Sequence, residues 1–356
     1  MHSKISPLTF LVSLLVATGT LLSLSITVPH DRYHRYQSHN SVTSRKADWI
    51  YERINFDATP IDVALIGTSR MGAGLSAPVI EAEYCKATGR RIHVTNLSIP
   101  ETGRNMHFAL TKELFRAKSP SLIVVELNET EPRKPHDGFI FIADASDILS
   151  APALINMNYL SDLMRLPGRQ AQLFFEKLTG KPALRASFDP AAYQGSHLDR
   201  TQAMTLIDGR TVSKDRAMPK ADLEAQRQQR LASRKPPHVL PKALHKFEYR
   251  FSRIYLKKIK SIATANNAAL DYVYLPGYKA PGELPAYLYN ALNIDTVPLQ
   301  AGSTIRANAA LWFDATHVNA NGATMQTQTF TQSLIAKQPA LGQPGSCKAE
   351  LTKRED

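Results

Sequence analysis

Apolar positions change their period several times along the chain, and each change marks an element. Pro7 to Val28 is an unbroken run of apolar and small residues without a charge, long enough at ~1.5 Å per residue to cross a bilayer as a helix. Ile61-Asp-Val-Ala-Leu-Ile-Gly67 is a short apolar run closed by glycine, Arg91 to Leu97 alternates, and Ser121-Leu-Ile-Val-Val-Glu-Leu127 is apolar again. Each of the three reads as a strand. Ala77 to Cys85 reads as a helix, and Asn105 to Ala117 carries Phe108, Leu110, Leu114 and Phe115 at helical spacing. Later, Leu244 to Ala265 sets Leu244, Phe247, Phe251, Ile254, Tyr255, Ile259 and Ile262 on one helical face, before a further strand at Asp271-Tyr-Val-Tyr-Leu275. Strand, helix and strand in repetition predict a parallel α/β sheet with helices on both faces. In such sheets reactive residues gather at the carboxyl ends of strands.

Boundaries follow from where this pattern lapses. Residues 7–28 predict a transmembrane anchor, 29–48 a solvated juxtamembrane linker, 49–336 the α/β domain and 337–356 a C-terminal tail. Within the domain, about 132–241 reads as an insertion that can serve as a lid or partner-binding surface. It holds helical stretches at Asn158 to Leu166 and Ala171 to Leu178, then a Gln-rich basic region from Lys214 to Lys235. A cleavable signal peptide would carry an apolar core of ~7–15 residues and an Ala-x-Ala-like site. No such site stands between Leu21 and His30, which favours a retained anchor. Arg32, Arg35, Arg45 and Lys46 follow the span and by the positive-inside rule pull towards the cytoplasm. A large domain behind an N-terminal span pulls the other way, and a domain facing the periplasm or cell exterior is the orientation expected.

Charge and cysteines narrow the partners. A net charge of +12, from 43 basic and 31 acidic side chains, favours anionic matter. The linker's basic residues suit lipid headgroups, while nucleic acid has no motif here and an export anchor against it. The basic face of residues 244–265 reads as a solvated helix surface. Two cysteines, Cys85 and Cys347, exclude a disulfide framework and a Cys-x-x-Cys site, leaving open one bridge or two thiols. His30, His34 and His39 lie in the polar linker, and apart from Asp314 with His317 no metal-ligand spacing is evident.

Candidate chemistry lies at the two ends of the α/β pattern. Gly67-Thr-Ser69-Arg70 follows the first apolar strand, which puts the Ser69 hydroxyl at the sheet's carboxyl edge. A serine hydroxyl needs a base to take its proton. Asp314-Ala-Thr-His317 supplies one, with His317 as general base then acid and Asp314 as stabiliser of the imidazolium. Gly67 to Gly74 contains neither Gly-Lys-Ser/Thr nor Gly-x-Gly-x-x-Gly, which argues against a nucleotide site.

With Ser69, Gly103 in Asn96-Leu-Ser-Ile-Pro-Glu-Thr-Gly, Asn128 after the third strand, and Asp314 with His317, the chain resembles the SGNH (GDSL-like) hydrolase superfamily. That resemblance covers roughly residues 58–131 and 244–334. It implies a three-layer, flavodoxin-like domain and an oxyanion site built from the Ser69 amide, the Gly103 amide and the Asn128 side chain, with no cofactor. Gly-Thr-Ser-Arg in place of Gly-Asp-Ser, and Glu126-Leu-Asn128-Glu in place of Gly-x-Asn-Asp, depart from the family. The departures make Arg70 a candidate substrate-binding residue and set Glu126 either in the pocket or against Arg70. Together with the N-terminal span they look like an envelope subgroup similar to alginate O-acetylation proteins and the D-alanyl-lipoteichoic acid transfer protein. The resemblance then implies a serine esterase or O-acyltransferase acting on an acylated carbohydrate polymer, beside a multispanning membrane acyltransferase. The altered Asn block supports a different expectation, a non-catalytic scaffold that keeps the fold.

Overall fold

Every residue of strand β1 (Val63–Ile66) is buried, because both faces of the sheet are covered. Val63 and Leu65 pack into one apolar cluster and Ala64 and Ile66 into another, the two-residue period of a strand. The computed structural model describes residues 6–37, 46–101, 103–130, 135–189, 193, 199–205, 210–234, 236–344 and 347. Helices α1 (Pro7–Thr27), α2 (Arg32–Gln37) and α3 (Ala47–Asn55) precede β1. After it come α4 (Ser69–Gly74), α5 (Ala77–Thr88), β2 (Val94–Asn96), α6 (Arg104–Ala117) and β3 (Leu122–Leu127). The insertion contributes α7 (Tyr159–Thr179) and α8 (Lys220–Ser233), and α9 (Arg250–Ala265), β4 (Ala269–Tyr274), β5 (Leu299–Gln300) and α10 (Ala320–Lys337) complete the domain.

The strands form a five-stranded sheet in the order β2-β1-β3-β4-β5, parallel throughout. Helices α3, α6 and α9 bury apolar residues on one face, and α5 and α10 on the other. The molecule is therefore an α/β protein with helices on both faces of a parallel sheet. Chain connections leave β1 and β3 in opposite directions, so a crevice opens at the carboxyl ends of these neighbours.

Several elements differ from the periodic reading for identifiable reasons. Arg90–Arg91 pairs antiparallel with Gln343–Pro344, which leaves only Val94–Asn96 in the main sheet. The two helical stretches expected from 158 to 178 are one helix, α7, which runs through Pro167 and ends at Gly180 with φ 62°. Burial of Leu166 and Leu173 on the domain holds both halves in line. The helix expected over 244–265 breaks near Tyr249 into a short turn and α9. In the Gln-rich region, α8 is docked through Leu223, which packs with Tyr278 and Trp312.

Residues 29–37 are not a solvated linker. Tyr33 stacks on Tyr51 with ring centroids 4.8 Å apart, and the buried Arg35 reaches Asp144 at 2.5 Å. Residues 38–45 of the expected linker lie outside the described residues, as do 348–356 of the expected tail. Cys85 and Cys347 are bonded to each other, which ties the tail to α5. Residues 7–27 form the 21-residue helix α1. Among the described residues no helix is long and apolar enough to cross a membrane, so the spanning role expected of 7–28 stays a proposal.

Candidate active site

The turn after β1 is built around Glu126 of β3. Thr68 donates its amide to Glu126 Oε2 at 2.6 Å and its hydroxyl to Oε1 at 3.0 Å. A Cβ on Gly67 would lie 2.5 Å from Glu126 Oε2, so glycine lets this carboxylate pass beneath the turn. Thr68 then caps α4 by accepting from the Arg70 amide at 3.2 Å. Ser69 is thereby the first residue of a helical turn, half-buried, at the carboxyl end of β1. Burial pushes the Glu126 carboxyl above its ordinary range in spite of its bonds to Thr68 and the nearby Arg70 charge.

The segment carrying Asp314 and His317 is a tight hairpin against the start of α10. Phe313 donates its amide to the His317 carbonyl at 2.9 Å, and Trp312 bridges to Val318. Asn319 caps α10 by accepting from the Gly322 amide at 2.9 Å, while its side-chain NH2 donates to the Ala310 carbonyl at 2.8 Å. At Gly322 a Cβ would sit 2.2 Å from the Leu311 carbonyl oxygen, so only glycine permits the hairpin to lie this close.

These two loops bring three side chains into line. His317 Nε2 is 2.8 Å from Ser69 Oγ, and His317 Nδ1 is 2.8 Å from Asp314 Oδ2. Asp314 Oδ1 accepts from the amides of Thr316 at 2.6 Å and His317 at 2.8 Å, which fixes the carboxylate plane. Burial raises the Asp314 carboxyl, but the hydrogen bond and charge of His317 outweigh it and hold the group below its ordinary range. A carboxylate depressed in the folded state contributes stability above its unfolded pKa that is lost as pH falls through the folded value. Asp314→Asn is therefore expected to flatten the acid limb of a stability-versus-pH curve measured by urea unfolding.

Neither a family model nor a curated protein matches this chain.

Gly103 is the N-cap residue of α6, after β2, and a Cβ there would collide with the backbone of His136. Asn128 follows β3 and is buried. Its Oδ1 accepts from the Thr130 amide at 3.1 Å and hydroxyl at 3.2 Å, which leaves its NH2 as the group able to donate elsewhere. Ser69, Gly103 and Asn128 thus follow the carboxyl ends of three adjacent strands. Arg70 does not face outward: its two Nη groups reach Glu129 at 2.7 and 3.1 Å, and Nη1 also reaches the Leu275 carbonyl at 2.9 Å. Burial raises the Glu129 carboxyl, and the charge and hydrogen bonds of Arg70 more than reverse that.

Glu129, Gln226 and Arg230 are the residues that sequence reasoning did not single out. Gln226 Oε1 accepts from the Ala315 amide at 3.1 Å, and Arg230 donates to the Ala315 carbonyl, so α8 holds the middle of Asp314-Ala-Thr-His317 from both sides. Arg230 also lies 3.5 Å from Glu129, joining this clamp to Arg70. No spacing signal could have revealed Gln226 and Arg230, since their contacts link an insertion to a loop some 85 residues away, and Glu129 meets Arg70 only through the fold. Arg230→Gln removes the charged clamp and lets His317 drift, and misplacement near 1 Å costs up to about 10²-fold in rate. Turnover of a small aryl ester is expected to fall through kcat with KM little changed.

Proposed function

We propose that this protein is a membrane-anchored serine esterase or O-acyltransferase of the SGNH type, acting on acyl esters of an envelope or extracellular carbohydrate polymer. The observation that carries the reading is the hydrogen-bonded line Asp314–His317–Ser69, at 2.8 and 2.8 Å, in the crevice of the parallel sheet. Its geometry meets the requirement of a nucleophile in reach of a base that a carboxylate orients.

In the first half-reaction His317 Nε2 takes the Ser69 proton as Oγ attacks the acyl carbonyl carbon. The negative oxygen of the tetrahedral intermediate is received by the Ser69 and Gly103 amides and the Asn128 NH2. His317 then gives its proton to the departing alcohol oxygen, leaving acyl-Ser69. In the second half, water or a sugar hydroxyl loses its proton to His317 and attacks the acyl-enzyme, and Ser69 recovers its proton.

The envelope setting rests on three supports. The Cys85–Cys347 bond suits an oxidising compartment. Helix α1 is free of charge over 21 residues, and the net charge of +12 suits an anionic surface. A multispanning acyltransferase as acyl donor follows from the resemblance alone. Incubating the full-length protein with an acetylated oligosaccharide and an unacetylated acceptor separates the two reactions. Free acetate marks hydrolysis and an acylated acceptor marks transfer. Neither product, from protein whose Ser69 still reacts with an active-serine probe, would remove carbohydrate esters from the proposal.

A further inference from the structure

Outside α1, thirteen large apolar side chains are exposed among the described residues, and seven of them lie between 149 and 178. Four belong to α7: Leu160 at 70 % exposure, Met164 at 82 %, Phe175 at 62 % and Leu178 at 64 %. At 3.6 residues per turn these four fall within an arc of about 60°. Pro167, Gly168 and Ala171 share that side of the helix, and no charged residue does. The stripe runs about 27 Å along the axis. Opposite it, Leu166, Gln170 and Leu173 are buried against the domain. Core packing already uses the inner face of α7, so the outer stripe has no role in folding.

Helix α1 identifies what meets the stripe. It packs against α7 and exposes Leu8, Phe10, Leu11, Leu14 and Leu15, each by more than half. The two apolar surfaces therefore adjoin. We propose that the outer face of α7 is a membrane-contacting surface that lies in the bilayer interface beside α1, an inference that rests on reading α1 as the membrane anchor. A helix fastened to the domain through Asp162, Leu166, Arg169, Gln170 and Leu173 cannot cross the bilayer; it can lie on it with the apolar side in the headgroup–acyl boundary. The insertion then has two duties, since α7 sets the domain against the membrane while α8 holds the catalytic loop.

The test uses the full-length protein in vesicles of phosphatidylcholine and phosphatidylglycerol with no other protein present. Single cysteines, Leu15→Cys, Met164→Cys or Val239→Cys, carry an environment-sensitive fluorophore, the native pair being bonded. The expected result is blue-shifted emission at positions 15 and 164, with position 164 losing most of its intensity to a nitroxide held at shallow depth in the lipid. Position 239, exposed and outside the stripe, stays water-like. A lipid-embedded label at 15 with a water-like label at 164 would overturn the inference while keeping the anchor, as when a protein partner covers the stripe. Water-like emission at both would overturn the anchor and the inference together.

Discussion

Changing Ser69 to alanine is expected to lower acyl-transfer turnover by on the order of 10⁴–10⁶-fold. The hydroxyl is the only group on its side chain, and it is the atom that lies 2.8 Å from His317 Nε2. His317→Ala should cost a comparable factor, and the double variant little more, because a nucleophile without its base and a base without its nucleophile are equally idle. Stability should hardly move. Ser69 is half-buried at the first position of α4, and alanine suits a helix well. Turnover of an aryl acetate set beside urea unfolding midpoints checks both halves of this expectation. A variant that keeps wild-type turnover would sink the triad, and one that unfolds would show Ser69 to be structural.

The second large effect lies one layer behind the triad. Glu129→Ala is expected to destabilise the fold by about 3–5 kcal/mol, because it strands Arg70 as a buried, unpaired charge. Arg70 and Glu129 side chains are only 8 % and 5 % exposed, and their contact is bidentate, at 2.7 and 3.1 Å. Arg230, which shares Glu129, cannot replace the lost carboxylate. Glu129→Gln keeps an acceptor and should cost less. Urea unfolding separates this account from the one in which Arg70 is a substrate-binding cation. If Arg70 were free for substrate, Glu129→Ala would leave the unfolding midpoint unchanged and alter KM instead.

Strand periodicity made the sheet legible. Ile61 to Gly67 and Ser121 to Leu127 are apolar at every buried position but Glu126 because both sheet faces are covered, and such runs admit few other readings. Asp314-Ala-Thr-His317 was legible as chemistry because its spacing lets one hairpin carry both groups. Arg70 was misjudged from its neighbourhood: beside a nucleophile a cation suggests substrate, and nothing in the order of residues shows that Glu129 faces it. Glu126 looked like an intruder in the Asn block, yet it is the support of the Thr68 turn, a role that needs the adjacency of β1 and β3 to be seen. The segment after α1 looked like a linker by composition, since it is rich in His, Arg, Ser and Asn. Tyr33 and Tyr36 are buried there as apolar rings packed on Tyr51, and Arg35 is buried through its ion pair with Asp144.

The central claim is that Ser69 is an activated nucleophile, and its most direct test is covalent labelling of full-length protein in detergent by a fluorophosphonate. Wild type should become labelled at Ser69, identified by peptide mass, while Ser69→Ala and His317→Ala take up no label. Absence of labelling in folded wild type, or equal labelling of wild type and Ser69→Ala, would contradict a catalytic role for the Asp314–His317–Ser69 line.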